Sequence, residues 1–129
     1  MREILFRGKG INDKEWRYGF YTEQQGYPYI TPDGVAMYEI DANTTGQYTG
    51  LNDRNGNRIF EGDIIKHDVT SDTSWEAIVK WDNDGTRFLG FITGNEPRIM
   101  YVGMIDKKNK SVIKIVGNIY DNPELLKER

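Results

Sequence analysis

The one histidine in the chain, His67, stands among carboxylates: Glu61 and Asp63 precede it and Asp68 follows. A carboxyl raised in pKa by burial, beside an imidazole, would make a general acid/base pair. The spacing argues against that use. On an alternating strand Asp63, Ile65 and His67 share one face while Ile64 and Lys66 share the other, so neither face is cleanly apolar. Partial solvation of the strand accounts for the pattern, and a lone histidine is more often structural than catalytic. Cysteine is absent, which removes thiolate nucleophiles, disulfide frameworks and sulfur-ligated zinc; a zinc site would have only His67 and carboxylates to draw on.

Three other patterns suggest ligands. Asp82-Asn83-Asp84-Gly85 and Asp53-Arg54-Asn55-Gly56 resemble the start of a calcium loop, which needs Gly at its sixth position and Glu at its twelfth. Those positions hold Arg87 and Thr93 in one case and Arg58 and Ile64 in the other, so both read as hairpin turns. Gly8-Lys9-Gly10 suggests a phosphate cradle, but no Gly-Lys-Ser/Thr follows and no strong helical pattern opens there; a flexible strand exit fits better. Arg98, Lys107, Lys108, Lys110 and Lys114, with Asp106 as the one acid among them, form a basic strip that could touch phosphates. The lysines run through a turn and the chain as a whole is acidic, so a solvated face is the preferred reading and nucleic acid is disfavoured. No metal, cofactor or catalytic cluster is expected, and the chain is read as a non-enzyme.

These residues are carried by elements that alternate at period two. Trp75 to Trp81 places Trp75, Ala77, Val79 and Trp81 on one face, expected to be buried. Trp16 to Tyr21 gathers Trp16, Tyr18 and Phe20 opposite Arg17 and Gly19, as a half-buried strand would. Ile4–Phe6, Val35–Ile40, Asp63–His67, Arg87–Ile92, Ile99–Ile105 and Val112–Ile119 are further strands. Asn55-Gly56 suits a type I′ hairpin turn with positive φ at both positions, Asp84-Gly85 repeats the signal, and Thr31-Pro32-Asp33-Gly34 marks another reversal. Asp106 to Lys110 reads as a polar loop. At the end Asn122 can cap, Pro123 fits a first helical position and Glu124 suits the dipole, so a short helix closes the chain, docked by Leu125 and Leu126. The fold class is therefore mainly β with minor α. An N-terminal β-rich subdomain spans residues 1–58, and residues 59–129 hold a series of short strands sufficient for a small closed barrel.

At 129 residues there is no room for a separate cofactor domain. The net charge of −3 lacks the basic footprint common in duplex-binding proteins. No apolar run exceeds four residues, as in Val35 to Tyr38, against the roughly 20 a spanning helix needs. Met1 to Arg7 is interrupted by charge and is not read as a signal peptide, so a cytoplasmic protein is expected.

Motifs at both ends and the centre carry a resemblance. The start Met1-Arg2-Glu3-Ile4-Leu5-Phe6-Arg7, the block Gly46-Gln47-Tyr48-Thr49-Gly50-Leu51-Asn52-Asp53, the run Asn55-Gly56 with Ile59-Phe60-Glu61-Gly62-Asp63-Ile64-Ile65, and the ending Val116-Gly117-Asn118-Ile119-Tyr120-Asp121-Asn122-Pro123-Glu124-Leu125-Leu126 together resemble the YopX family. Gly8-Lys9-Gly10 stands where that family more often has Ala-Trp. The resemblance implies a protein encoded by a phage or prophage of a bacterial host, an SH3-like barrel in the C-terminal part, and no established activity. Read physically, Gly46 and Gly50 permit turns, Tyr48 can bury its ring, and Glu61-Gly62-Asp63 leads into a strand with Gly62 free to take positive φ.

The functional expectation is a non-enzymatic interaction module. Its 16 aromatics and its strand edges exceed what a limited aliphatic core can cover, and pairing of subunits would cover them. A homo-oligomer is therefore expected, with a host or phage protein as a further partner. The competing expectation is a nucleic-acid-binding accessory protein using the barrel and the Arg98 to Lys114 strip.

Overall fold

Side chains that alternate along the sequence demand strands, and strands dominate the computed structural model, which describes residues 3–67, 75–83, 87–92, 98–102 and 111–126. The strands are β1 (Phe6–Lys9), β2 (Trp16–Gln24), β3 (Tyr27–Thr31), β4 (Tyr38–Glu39), β5 (Gly46–Asn52), β6 (Arg58–Phe60), β7 (Asp63–His67), β8 (Trp75–Asp82), β9 (Arg87–Ile92), β10 (Arg98–Tyr101) and β11 (Ile113–Asn118). They form two antiparallel sheets, in the orders β4-β3-β2-β1-β5-β6 and β10-β9-β8-β7-β11. The chain divides into compact units at residues 1–50 and 51–129.

In the N-terminal unit β1 pairs with β2 and β5, with Arg7 opposite both Tyr18 and Gly46. The β2–β3 hairpin closes through Gln25-Gly26, at φ 54° and 84°, between the paired residues Gln24 and Tyr27. Positive φ at both positions is the type I′ turn whose twist suits a two-residue hairpin. The β3–β4 reversal is fixed by Asp33, whose Oδ1 accepts the Val35 and Ala36 N–H groups at 2.9 and 2.8 Å. A bridge between Gly10 and Ile40 ties the end of β4 back to the end of β1. Gly8 and Lys9, expected to leave a strand, are instead its second half. A 3-10 turn at Ala42–Thr44 follows, capped by Asp41.

In the C-terminal unit Ile59, Ile65, Ala77, Val79, Val102 and Ile113 form the core, with Trp75, Phe88, Val112 and Ile115 packed against it. The face expected for β8 is buried at Ala77 and Val79, while Trp81 stays exposed at its far end. β7 departs from expectation at its start, where Asp63, Ile64 and Ile65 are all buried, while Lys66 and His67 are half-buried as a partly solvated strand would be; β8 and β11 cover its two edges. Asp63 is tolerated there because its Oδ2 accepts the Phe60 N–H at 2.8 Å.

Two further expectations are corrected. Asn55-Gly56 does sit in a hairpin turn, but only Gly56 has positive φ, at 84°. Gly56 N–H donates to Asp53 O at 3.0 Å and Asp53 N–H to Asn57 O at 2.8 Å, which is a type I turn followed by a left-handed glycine. Asp53 decides the type, since its Oδ1 accepts the Asn55 and Asn57 N–H groups and pins Asn55 in right-handed backbone. At the C-terminus Pro123–Leu126 is a 3-10 turn in place of a helix. Asn122 O accepts from Leu125 N–H, three residues on, and four residues of the turn are described. Among the described residues the five-stranded sheet does not close into a barrel, and β10 and β11 are its edges. The Asp84-Gly85 turn and the Asp106 to Lys110 loop lie outside the described residues.

Candidate binding surface of the N-terminal unit

Two surfaces of β2 concentrate the chemistry of this unit. On one, the register sets Lys9 beside Trp16 and Arg7 beside Tyr18. The Arg7 Cζ lies 4.6 Å and the Lys9 Nζ 5.6 Å from the centre of the Trp16 ring, so cations cover that indole. Tyr18 and Phe20 follow on the same face and are 46% and 61% exposed. The opposite face carries Gly19 and Tyr21 inward, with Ile30 fully buried across from Tyr21 and the Phe6 ring 5.6 Å from the Tyr21 ring. The strand is half-buried as expected, but on the aromatic-rich side Tyr18 and Phe20 reach water, while Arg7 is buried and Trp16 half-buried.

On the inward side the Gly10–Asp13 turn, Arg17 and Met37–Glu39 line a cleft of about 180 Å³. The Arg17 Nη2 donates to Asp13 Oδ2 at 2.6 Å, and its guanidinium carbon sits 4.2 Å from the centre of the Tyr38 ring. The Glu15 N–H, donated to Asp13, and the Arg17 guanidinium hold the Asp13 carboxyl below the usual aspartate range. The Arg17 Nε is buried without an acceptor among the described residues. A guanidinium held between a carboxylate and a ring is suited to binding; it offers no nucleophile and no acid/base pair.

The acid/base candidates of the C-terminal unit do not meet. Asp63 and His67 stand at opposite ends of β7, about 13 Å apart at strand rise. The His67 ring stacks on Trp75 at 5.4 Å and 8°, while its Nδ1 is buried without a partner among the described residues. Asp68 lies outside the described residues. Among the described residues no group of three or more metal-ligating side chains gathers. Of the basic strip, Lys107, Lys108 and Lys110 lie outside the described residues. Arg98 begins β10 and Lys114 belongs to β11, the first and last strands in the order of the sheet, with three strands between them. Among the described residues no helix is long and apolar enough to cross a membrane.

The family model for "YopX protein" matches residues 5–127, nearly the whole chain. This chain belongs to the YopX family. No curated protein sequence matches it. It is similar to the crystal structure of protein EF1440 from Enterococcus faecalis, at 22% identity and a TM-score of 0.61, over 98% of this chain and 100% of that one. That likeness extends to the fold.

Several residues of the YopX signature have structural duties. Asp53 and Asp63 satisfy backbone N–H groups, and the Tyr48 ring is buried. Gly62, at φ 89°, donates to Val79 O and accepts from Ile119 N–H, with the Tyr120 ring 2.9 Å from where a Cβ would stand. Asn118 Oδ1 accepts the Tyr120 and Asp121 N–H groups, and Asn122 Oδ1 accepts the Asn118 N–H. Tyr18, Phe20, Arg17 and Tyr38 lie outside these motifs; the alternation of β2 was the signal that groups the first two, but alternation does not say which face is wet.

Proposed function

We propose that this YopX protein is a phage- or prophage-encoded, non-enzymatic interaction module of the bacterial cytoplasm that associates with itself through the N-terminal unit. The observation that supports the reading is the exposure of Tyr18 and Phe20 side by side on β2. Large aromatic rings left in water beside a cation-covered indole are the composition of an interface centre. Residues 59–129 serve in this reading as an SH3-like module. β7 to β11 supply five antiparallel strands, and the turn at Gly62 leads into the first of them. Architecture of that kind supports binding without specifying a partner.

Size-exclusion chromatography with light scattering, over a micromolar dilution series, tests the association. The expected mass exceeds one chain, and Tyr18→Glu with Phe20→Glu returns it to one chain. An interface of this kind buries more than about 1,000 Å². A wild-type mass of one chain at every dilution removes the reading.

A further inference from the structure

An edge strand offers unpaired N–H and C=O groups to any extended chain that meets it. β11 is an edge of its sheet, yet three of the outward groups of Ile113 and Ile115 are occupied. In an antiparallel strand alternate residues direct both backbone groups to the same side. Lys114 pairs inward with Lys66, which leaves Ile113 and Ile115 facing outward. The Arg54 N–H donates to Ile113 O at 2.8 Å, and the Ile115 N–H donates to Asp53 Oδ2 at 3.1 Å. The Ile113 N–H is taken by Ser111 Oγ at 3.2 Å. One donor and one acceptor, from adjacent residues of a turn, thus stand where an added strand would put its own N–H and C=O.

The charges beside this edge are one-sided. Lys114 lies directly opposite Lys66, and like charges so placed destabilise a ladder. Across Lys66 on the other side stands Glu76. Among the described residues Lys114 makes no ion pair. An extended segment with an acidic residue opposite Lys114 would flank the two lysines with a carboxylate on each side, whereas a second copy of β11 centred on this position would add a third lysine to the row.

We propose that the outer edge of β11 at Ile113–Ile115 is a strand-addition site for an extended partner segment bearing an acidic residue, held closed by the Asp53–Arg54 turn. The turn acts as a built-in competitor. It is stapled within itself, through Gly56 N–H to Asp53 O and through Asp53 Oδ1, so it can leave the edge without unfolding. The site belongs to the C-terminal unit and is independent of the Tyr18 and Phe20 surface.

Asp53→Asn separates the two duties of the carboxylate. The amide keeps an Oδ1 to accept from Asn55 and Asn57 and turns an NH₂ donor toward the Ile115 N–H, which has no use for one. The measurements are amide hydrogen exchange and titration with two blocked peptides, Thr-Val-Glu-Val-Thr and Thr-Val-Lys-Val-Thr. In the variant the Ile115 amide should exchange faster while the Asn57 amide keeps its protection. The glutamate peptide should bind about tenfold tighter than to wild type, the value of one charge-assisted hydrogen bond removed from the competitor. The lysine peptide should not gain. Faster exchange at Ile115 with no gain in peptide binding overturns the proposal, as does unchanged exchange. Should the variant not fold, Lys114→Glu in the otherwise native chain must reverse the preference between the peptides; failure of either chain to bind either peptide at millimolar concentration overturns it equally.

Discussion

The Asp53–Asp63 segment and strand β2 use their characteristic residues in opposite ways. In the first, both carboxylates are turned inward, 4% and 2% exposed, and spend their oxygens on backbone N–H groups. In the second, two of the largest side chains of the unit are turned outward. The difference separates part of what makes the chain recognisable from what is available to a partner: the signature carboxylates Asp53 and Asp63 are consumed by the fold, and the exposed Tyr18 and Phe20 lie outside the signature. Substitution should expose this contrast. Asp53→Ala strands a part-buried Ile115 N–H and releases the turn, and we expect a loss of about 2 kcal/mol in denaturant unfolding. Phe20→Ala, measured on dissociated protein, should stay within about 0.5 kcal/mol of wild type. Equal losses at the two positions would mean that β2 is covered in solution and that the contrast is wrong.

The hairpin turns sharpen the comparison with smaller effects of opposite sign. Gly56 alone carries the left-handed position of the Asp53–Asn57 turn, so Gly56→Val should cost about 1 kcal/mol or more, since a β-branched residue resists positive φ. At the tip of the β2–β3 hairpin Gln25 holds φ 54°, a conformation that asparagine tolerates better. Gln25→Asn should therefore stabilise, by about 0.5 kcal/mol. Thermal melting of the two variants reads both signs, and a Gln25→Asn protein that melts below wild type would show that the type I′ geometry is not kept.

How far the sequence was legible follows from local chemistry. Asp63–His67 and Arg87–Ile92 stand at the expected limits because β-branched and aromatic residues fill both runs. β3 was hidden because Pro28 argues against a strand interior; the structure places it opposite Glu23, with its carbonyl serving Ile40 N–H at 3.1 Å. β5 was hidden because Gly46, Gly50 and three polar residues dilute the strand pattern, and its neighbours supply what propensity lacks. Turn type was not readable from Asn55-Gly56 alone, since Asp53 overrides the preference of that dipeptide. The binding candidates were less legible still. Arg17 and Tyr38 are joined by the curl of β4 toward β1, and no spacing along the chain reports a contact of that kind.

The smallest effects are those of pH, and they test whether the exposed polar contacts of the N-terminal unit persist in solution. Asp13 and Asp33 are both held below the ordinary aspartate value of 3.8, chiefly by backbone N–H groups: Glu15 for Asp13, Val35 and then Ala36 for Asp33. A carboxyl depressed on folding contributes stability above its unfolded pKa and loses that contribution as pH falls through the folded one. The acid limb of these two groups therefore lies below 3.8. Tyr21 has the opposite sign. Its hydroxyl donates to Glu23 Oε1 at 2.8 Å, and that bond and the neighbouring charge raise its pKa above 10.0. Its contribution is complete below 10.0 and is lost as pH rises through the raised value. All three groups are near the surface, where solvent screens such contacts, so the effect belongs in titration midpoints more than in unfolding. Carboxyl chemical shifts followed by NMR should give midpoints below 3.8 for Asp13 and Asp33. Arg17→Gln should move the Asp13 midpoint up only part of the way, because the Glu15 N–H is the larger cause and remains. A full return to 3.8 in that variant would show that the guanidinium, and not the turn, holds the mouth of the cleft.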